Sequence, residues 1–167
     1  MLTFHELYER HAPDVYRFTF WLCGDPQEAE DITSETFVRA WLARAPIRTE
    51  TVKAYLFAIA RNLYHELGRK SRREETLKSH EPDPAPTPDQ LVEDRMALAE
   101  ARNGMQALPE VDRAALIMRV LYDMPYEEIA RALSLSVVAA KVKVHRARLK
   151  LAEARLRKEE QDNANQP

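Results

Sequence analysis

Apolar side chains recur at three- and four-residue intervals along most of the chain, and no stretch shows the period of two that a half-buried strand requires. The first series is Phe4, Leu7, Tyr8, His11, Val15, Phe18, Thr19 and Leu22. It predicts a helix that Pro13 kinks or splits. Asp25-Pro26-Gln27-Glu28 combines a capping aspartate, a proline at the first helical position and a glutamate three residues after the cap, so a second helix starts there and runs to about Ala43. Past Pro46, the series Val52, Tyr55, Leu56, Ile59, Ala60, Leu63 and Leu67 predicts a third helix of roughly 20 residues. Its opposite face carries Arg61, Asn62, His65, Arg69, Arg72 and Arg73.

Residues 79–90 place Pro82, Pro84, Pro86 and Pro88 at alternate positions among acids and small residues, with no apolar side chain larger than Ala85. Such a segment cannot join a core and is expected to be an extended, partly stiff linker. Beyond it, Leu91, Leu98 and Met105 mark a helix that ends between Gly104 and Pro109, and another covers about Glu110 to Tyr122. Asp123-Met124-Pro125 then turns the chain. A short helix (Tyr126, Ile129, Ala130, Leu133), the turn Ser134-Leu135-Ser136 and a long basic helix with Val137, Ala140, Val144, Ala147 and Leu151 inward have helix-turn-helix spacing. The expected fold class is all-α. Two small helical domains, 1–75 and 96–157, are joined by a Pro-rich acidic linker at 76–95, and a disordered tail follows at 158–167.

Charge changes this picture more than composition does. The 167 residues carry a net charge of −2, from 25 Lys+Arg against 27 Asp+Glu. Residues 61–73 hold five basic and one acidic side chain, and residues 141–158 hold eight and one, so these two stretches total +11 and the remainder −13. Two basic helices on an acidic body point to two separate anion contacts, with nucleic acid the leading candidate. The proportions, 45% hydrophobic and 31% charged, are those of an ordinary globular chain. The N-terminus MLTFHELYERH lacks the basic start and apolar stretch of a secretory signal, so a cytoplasmic protein without membrane insertion is expected.

Enzymatic chemistry finds little support. Cys23 is the only cysteine, which excludes an intramolecular disulfide and a cysteine-cluster zinc site, and it reads as a small apolar residue. The three glycines, Gly24, Gly68 and Gly104, form no phosphate-cradling pattern. Glu30/Asp31 and Glu127/Glu128 are adjacent in sequence and so diverge on a helix, and the five histidines show no paired-ligand spacing. No catalytic residue, metal or cofactor is expected.

Binding chemistry is better represented. On the long basic helix the outward positions are Val138, Ala139, Lys141, Val142, His145, Arg146 and Arg148, placed to meet base edges and phosphates. Arg61, His65, Arg69 and Arg72 form a second stripe, equally consistent with the wet side of an amphipathic helix. Asn62 among them is suited to hold an adenine or an exposed base. Tyr55, Tyr64 and Trp41 sit at helical spacing and read as core. Asp25 and Glu28 read as caps, whereas Asp31 and Glu35, four residues apart, form an acidic stripe suited to a basic protein partner.

Several longer motifs occur in order along nearly the whole chain. The first half has Glu28-Ala29-Glu30-Asp31-Ile32, Glu35-Thr36-Phe37-Val38-Arg39-Ala40-Trp41 and Ala54-Tyr55-Leu56-Phe57-Ala58-Ile59-Ala60-Arg61-Asn62-Leu63. The second has Leu108-Pro109-Glu110, Tyr126-Glu127-Glu128-Ile129-Ala130 and His145-Arg146-Ala147-Arg148. With these motifs the chain resembles the small, two-domain extracytoplasmic-function sigma factors of bacterial RNA polymerase. The resemblance implies a non-enzymatic promoter-specificity subunit whose partners are core RNA polymerase and promoter DNA, and an anti-sigma inhibitor is common in that family.

The same resemblance implies residue roles. Asp31, Glu35, Phe37, Arg39 and Trp41 dock on the polymerase clamp. Arg48, Lys53, Arg61, Asn62, His65 and Arg69 read the minus-ten element, where a base is flipped out at a cost on the order of a few kcal/mol. Arg119, Lys141, Val142, His145, Arg146 and Arg148 contact the minus-thirty-five element. Linker acids such as Glu81, Asp83, Asp89 and Glu93 mimic nucleic acid. Val138-Ala139 stands where the family usually has Gly-Thr, Val142 replaces a small polar residue, and Pro125 replaces a capping serine. The free chain is expected to bind promoter DNA poorly, held closed by its acidic surfaces. The alternative is a stand-alone helix-turn-helix regulator that never touches polymerase.

Overall fold

The computed structural model describes residues 2–43, 52–74 and 89–167, with side chains at 69–74 and 89–93 outside the description. The elements among these residues are seven helices: α1 (Phe4–Cys23), α2 (Pro26–Ala43), α3 (Val52–Glu74), α4 (Asp89–Gln106), α5 (Glu110–Tyr122), α6 (Tyr126–Leu133) and α7 (Val137–Ala164). None is long and apolar enough to cross a membrane.

Local chemistry sets the ends of the first two helices. The Thr3 hydroxyl accepts from the Glu6 N–H at 3.2 Å while the Glu6 carboxylate accepts from the Thr3 N–H at 2.9 Å, a reciprocal capping box. Gly24, at φ 77, ends α1 with its N–H on the Phe20 carbonyl. Asp25 Oδ1 caps α2 by accepting from the N–H groups of Gln27 (2.8 Å) and Glu28 (3.4 Å). Pro13 does not split α1, which is continuous across it. An interior proline costs about 3 kcal/mol, and burying each of Val15, Phe18 and Leu22 completely returns roughly 1.5–3 kcal/mol per side chain.

Helices α1, α2 and α3 pack around a parallel stack of Phe18 on Phe57, centroids 4.4 Å apart. Thr19, Thr33 and Thr36 are buried in this unit and donate to carbonyls four residues back, at 2.6–2.7 Å, so no hydroxyl there is left unsatisfied. Phe57 falls outside the apolar series expected for α3. The helix buries Val52, Ala54, Leu56, Phe57, Ala60 and Leu63, a face wider than one partner requires, because α3 packs on α1 and α2 and also on α6.

The second unit, α4 to α7, surrounds Leu116, Ile117, Met118, Ile129 and Val144. Two expected boundaries shift here. Helix α4 already begins at Asp89, immediately after Pro88, inside the span 76–95 expected to be linker; the preceding residues 76–88 lie outside the described residues. Helix α7 runs to Ala164 where a disordered tail was expected from 158. The pairs Arg155–Glu159 and Arg157–Glu153 brace it internally, and Lys158 reaches Glu100 of α4.

The two units pack directly on each other. Tyr122 of α5 lies on Phe57, centroids 4.9 Å apart, and its hydroxyl donates to the Asp14 carbonyl at 2.8 Å. Burial, followed by the nearby Asp14 charge, pushes that phenol well above its ordinary range. Gln106 Nε2 donates to the Leu22 carbonyl (3.0 Å) and Arg102 to the Gly24 carbonyl (3.3 Å), so α4 satisfies the orphan carbonyls at the end of α1. A Cβ on Gly24 would meet the Gln106 side chain at 3.0 Å. Nearby, burial pushes the Cys23 thiol up to about 11, consistent with a packed small side chain.

Phe57→Ala removes both the Phe18 stack and the Tyr122 contact. It should cost about 3–5 kcal/mol in urea unfolding, and a loss under 1 kcal/mol would reject Phe57 as the shared packing point.

Candidate functional site

The helix-turn-helix is built by two local devices. Ser134 adopts the left-handed conformation (φ 55) that ends α6, and Ser136 caps α7 by accepting from the Ala139 N–H at 3.1 Å. Pro125 begins α6 without a side-chain cap. Burial of Ala140, Val144 and Ala147 fixes the rotation of α7, and Val138, Val142, His145 and Leu149, at i, i+4, i+7 and i+11, then form its outward stripe. Val138 is 71% and Val142 48% exposed.

Tyr126, which opens α6, lies between two cations. The Arg119 guanidinium carbon is 4.6 Å and Lys141 Nζ 5.7 Å from its ring centroid. Arg119 also donates to the Met124 carbonyl at 3.0 Å and pairs with Asp123 at 3.6 Å. A cation on an aromatic face gains about 0.5–1 kcal/mol at exposed sites, enough to bias the positions of both side chains. The other expected cations divide. Arg146 Nε stands 3.8 Å from the buried carboxylate of Asp112, whose other oxygen is 3.5 Å from Lys143 Nζ. Arg148 borders an apolar cavity of about 410 Å³ beside Trp21, Met105, Val120 and Leu121. Lys141, Val142 and His145 therefore share one exposed face, with Arg119 next to it and Arg146 and Arg148 on its flanks.

The basic stripe of α3 is not wet along its length. Arg61 has a side chain only 16% exposed. It grips Glu110 of α5 with both arms of its guanidinium, Nε to Oε1 at 2.7 Å and Nη2 to Oε2 at 3.0 Å, and His65 Nε2 lies 3.2 Å from the same carboxylate. One turn into α5, the buried Arg113 donates to the Tyr64 hydroxyl of α3 (3.2 Å) and to the Leu108 carbonyl (3.1 Å). Lys53 pairs with Asp14 at 3.3 Å and lies over the Tyr122 ring. Asn62 alone of the described group is exposed without such an anchor. Arg48, Glu81 and Asp83 lie outside the described residues, as do the side chains of Arg69, Asp89 and Glu93.

On α2, Asp31 and Glu35 are exposed, and Glu35 is offset by Arg39 Nε at 3.5 Å. Arg39 also forks onto Glu66 of α3, at 2.9 and 3.2 Å; this bond, the largest cause, and the neighbouring Glu35 raise its already high pKa. Trp41 is half exposed and meets Phe4 edge-on at 5.6 Å. Phe37, expected with this docking set, is fully buried and edge-on to Tyr8 at 5.0 Å. It belongs to the inward face with Ile32, Thr33, Thr36 and Ala40, beneath the exposed surface of the helix. Sequence reasoning assigned no role to Asp112, Arg113 or the Glu110 carboxylate. The single available signal was an acid in a first helical turn after proline, which reads as a cap.

Comparisons with known proteins agree along the chain. The family model described as Sigma-70 region 2 matches residues 7–74, and that described as Sigma-70, region 4 matches residues 98–151. The ECF RNA polymerase sigma factor SigM of Bacillus subtilis is 31% identical over 156 residues, 90% of this chain and 93% of that protein. SigE of Mycolicibacterium smegmatis is 30% identical over 156 residues, and the chain spans 61% of its length. Among solved structures, the sigma factor RpoE in complex with the anti-sigma factor NepR, from Bartonella quintana, superposes with a TM-score of 0.71 at 25% identity, over 90% of this chain and 94% of that one. CnrH, solved with the cytosolic domain of CnrY, has the same fold (TM-score 0.69, 24% identity, 90% of this chain and 86% of that one).

The Arg61–Glu110 pair lends itself to a double-mutant cycle. Arg61→Ala and Glu110→Ala should each destabilise the chain by about 1–3 kcal/mol, with a coupling of about 0.5–3 kcal/mol between them. Additive losses in denaturant unfolding would show that the pair does not join the two units.

Proposed function

The chain belongs to the extracytoplasmic-function sigma factors of bacterial RNA polymerase, and from that membership we propose that it is a cytoplasmic promoter-specificity subunit without catalysis of its own. It binds core polymerase and directs initiation at a particular set of promoters. The observation that carries this reading is the ordered pair of matches, region 2 over 7–74 and region 4 over 98–151, on one chain. A stand-alone regulator would need the helix-turn-helix and leave the first unit without a task.

The roles follow from exposure and charge. The α2 surface of Asp31, Glu35, Arg39 and Trp41 docks on polymerase, with Phe37 beneath it. Asn62, with Arg61, His65 and Lys53 once these leave their internal partners, meets the minus-ten strand, and Arg48 and Arg69 extend that set. Lys141, Val142 and His145 face the minus-thirty-five bases, while Arg119, Arg146 and Arg148 supply charge to the phosphates. In the free chain, Glu110 occupies Arg61 and His65, and α6 covers Ala54, Tyr55 and Ala58 across a cavity of about 250 Å³. That arrangement would keep the free chain from binding promoter DNA tightly until polymerase separates the units. An anti-sigma factor, of the kind bound to RpoE in the solved relative, would act as an inhibitory partner.

Asp31→Arg combined with Glu35→Arg should lower affinity for core polymerase at least about tenfold, a change of roughly 1.4 kcal/mol, in a co-purification or fluorescence assay. Undiminished binding would reject α2 as the docking surface. With the holoenzyme, Lys141→Ala should weaken binding to a minus-thirty-five duplex and make its salt dependence shallower by about one unit of slope if the lost contact is to phosphate. Sequencing the 5′ ends of transcripts made in vitro with core polymerase tests the function itself, because start sites common to no other initiation factor are the expected result.

A further inference from the structure

Resting on that assignment of α7 to the minus-thirty-five element, we propose that Val138 and Val142 read thymine there through its C5-methyl group. The side chains on α7 restrict how an A·T pair can be recognised. In the major groove it is specified by a paired hydrogen bond from Asn or Gln to adenine, or by apolar contact with the thymine methyl. From Val137 to Glu160 the helix contains no Asn, Gln, Ser or Thr, so the adenine route has no amide or hydroxyl to use. Lys143 and Arg146 lie toward the Asp112 carboxylate. The centre of the outward face is instead apolar, with Val138 71% and Val142 48% exposed.

Charge decides which partner suits this apolar pair. An exposed valine on its own is ordinary on a protein surface, and a protein partner would favour a larger apolar patch. Here Val142 lies in the basic stretch 141–158, which holds eight cationic side chains and one acid, and Val138 lies one helical turn before it. Lys141, beside them, is set on the Tyr126 ring that also carries Arg119. An apolar pair bordered by placed cations matches thymine methyls bordered by phosphates. Four residues of helix rise about 6 Å, close to two steps of about 3.4 Å along a DNA strand, so the two methyls belong to base pairs one or two steps apart.

The test uses holoenzyme assembled from core polymerase and the full chain, with the promoter identified by 5′-end sequencing. Each minus-thirty-five thymine is replaced in turn by deoxyuridine, which removes only the methyl. One or two replacements should weaken binding about fourfold each, the ratio supplied by burying one methylene-sized group. Val138→Ala or Val142→Ala, both at exposed helical positions, should abolish the distinction at the corresponding base. Equal binding of thymine and uracil at every position, in a promoter that still loses affinity when the element is scrambled, would overturn the methyl readout and leave the assignment of α7 standing. Uracil sensitivity that survives both alanine variants would overturn it as well. Indifference to scrambling would overturn the α7 assignment and the methyl readout together.

Discussion

Three side chains in the first turn of α5 hold the molecule in one arrangement. Glu110, Asp112 and Arg113 lie within four residues, yet between them they reach both α3 and α7. Glu110 takes Arg61 and His65 of α3, Asp112 takes Lys143 and Arg146 of α7, and Arg113 takes Tyr64 of α3 and the Leu108 carbonyl. Successive residues on a helix project about 100° apart, so one turn can address several neighbours only if it sits at their junction. Asp112 and Arg113 are buried, and a charge in that position is tolerated only when paired. The partners are therefore as constrained as the pair itself. The rotation of α7, and with it the outward stripe, depends on Asp112 as well as on its own buried alanines.

This junction also shapes how a chain of net charge −2 carries two strongly basic helices. Part of each basic surface is neutralised inside the molecule, α3 by Glu110 and α7 by Asp112. Among the described residues, Lys141 and His145 on α7 and Asn62 on α3 stay exposed. The acidic excess is then available on α2, where Asp31 and Glu35 face outward. Opposite charges on separate surfaces suit a protein that must meet a protein and a nucleic acid at once.

Much of this was legible in the sequence because helices announce themselves locally. Three- and four-residue spacing, the Asp25-Pro26 start and the Ser134-Leu135-Ser136 turn located the elements, and α5 and α6 begin and end where periodicity put them. What periodicity does not carry is how many neighbours a helix has. Phe57 was passed over because it lies beside the expected stripe of α3, and only a helix packed on two sides buries both. The family resemblance groups Phe37 with the docking residues, whereas its spacing to Ile32, Thr33 and Thr36 matches the inward face. Arg61 read as wet because its partner, Glu110, is 49 residues away, beyond any local pattern. The expected disordered tail is instead helical to Ala164, through charge pairs at four-residue spacing and through Lys158 on Glu100.

The nature of the contact between the two units bears on how the protein works. The described polar bonds across it are the two-armed Arg61–Glu110 pair with His65 beside it, hydrogen bonds to the last carbonyls of α1, and the tyrosine hydroxyls, and they border apolar packing of Phe57 on Tyr122 and of α3 on α6. Each such bond has a ready substitute in water or phosphate, so its net contribution is about 1 kcal/mol, rising to about 1.5–3 kcal/mol where a charge takes part. To move a two-state equilibrium from 1:99 to 99:1, a partner must favour the second state by about 5.5 kcal/mol. Arg61 sharpens the argument. A guanidinium that binds a carboxylate in parallel binds a phosphate in the same geometry, so the grip of Arg61 on Glu110 is one that a nucleic-acid backbone can replace.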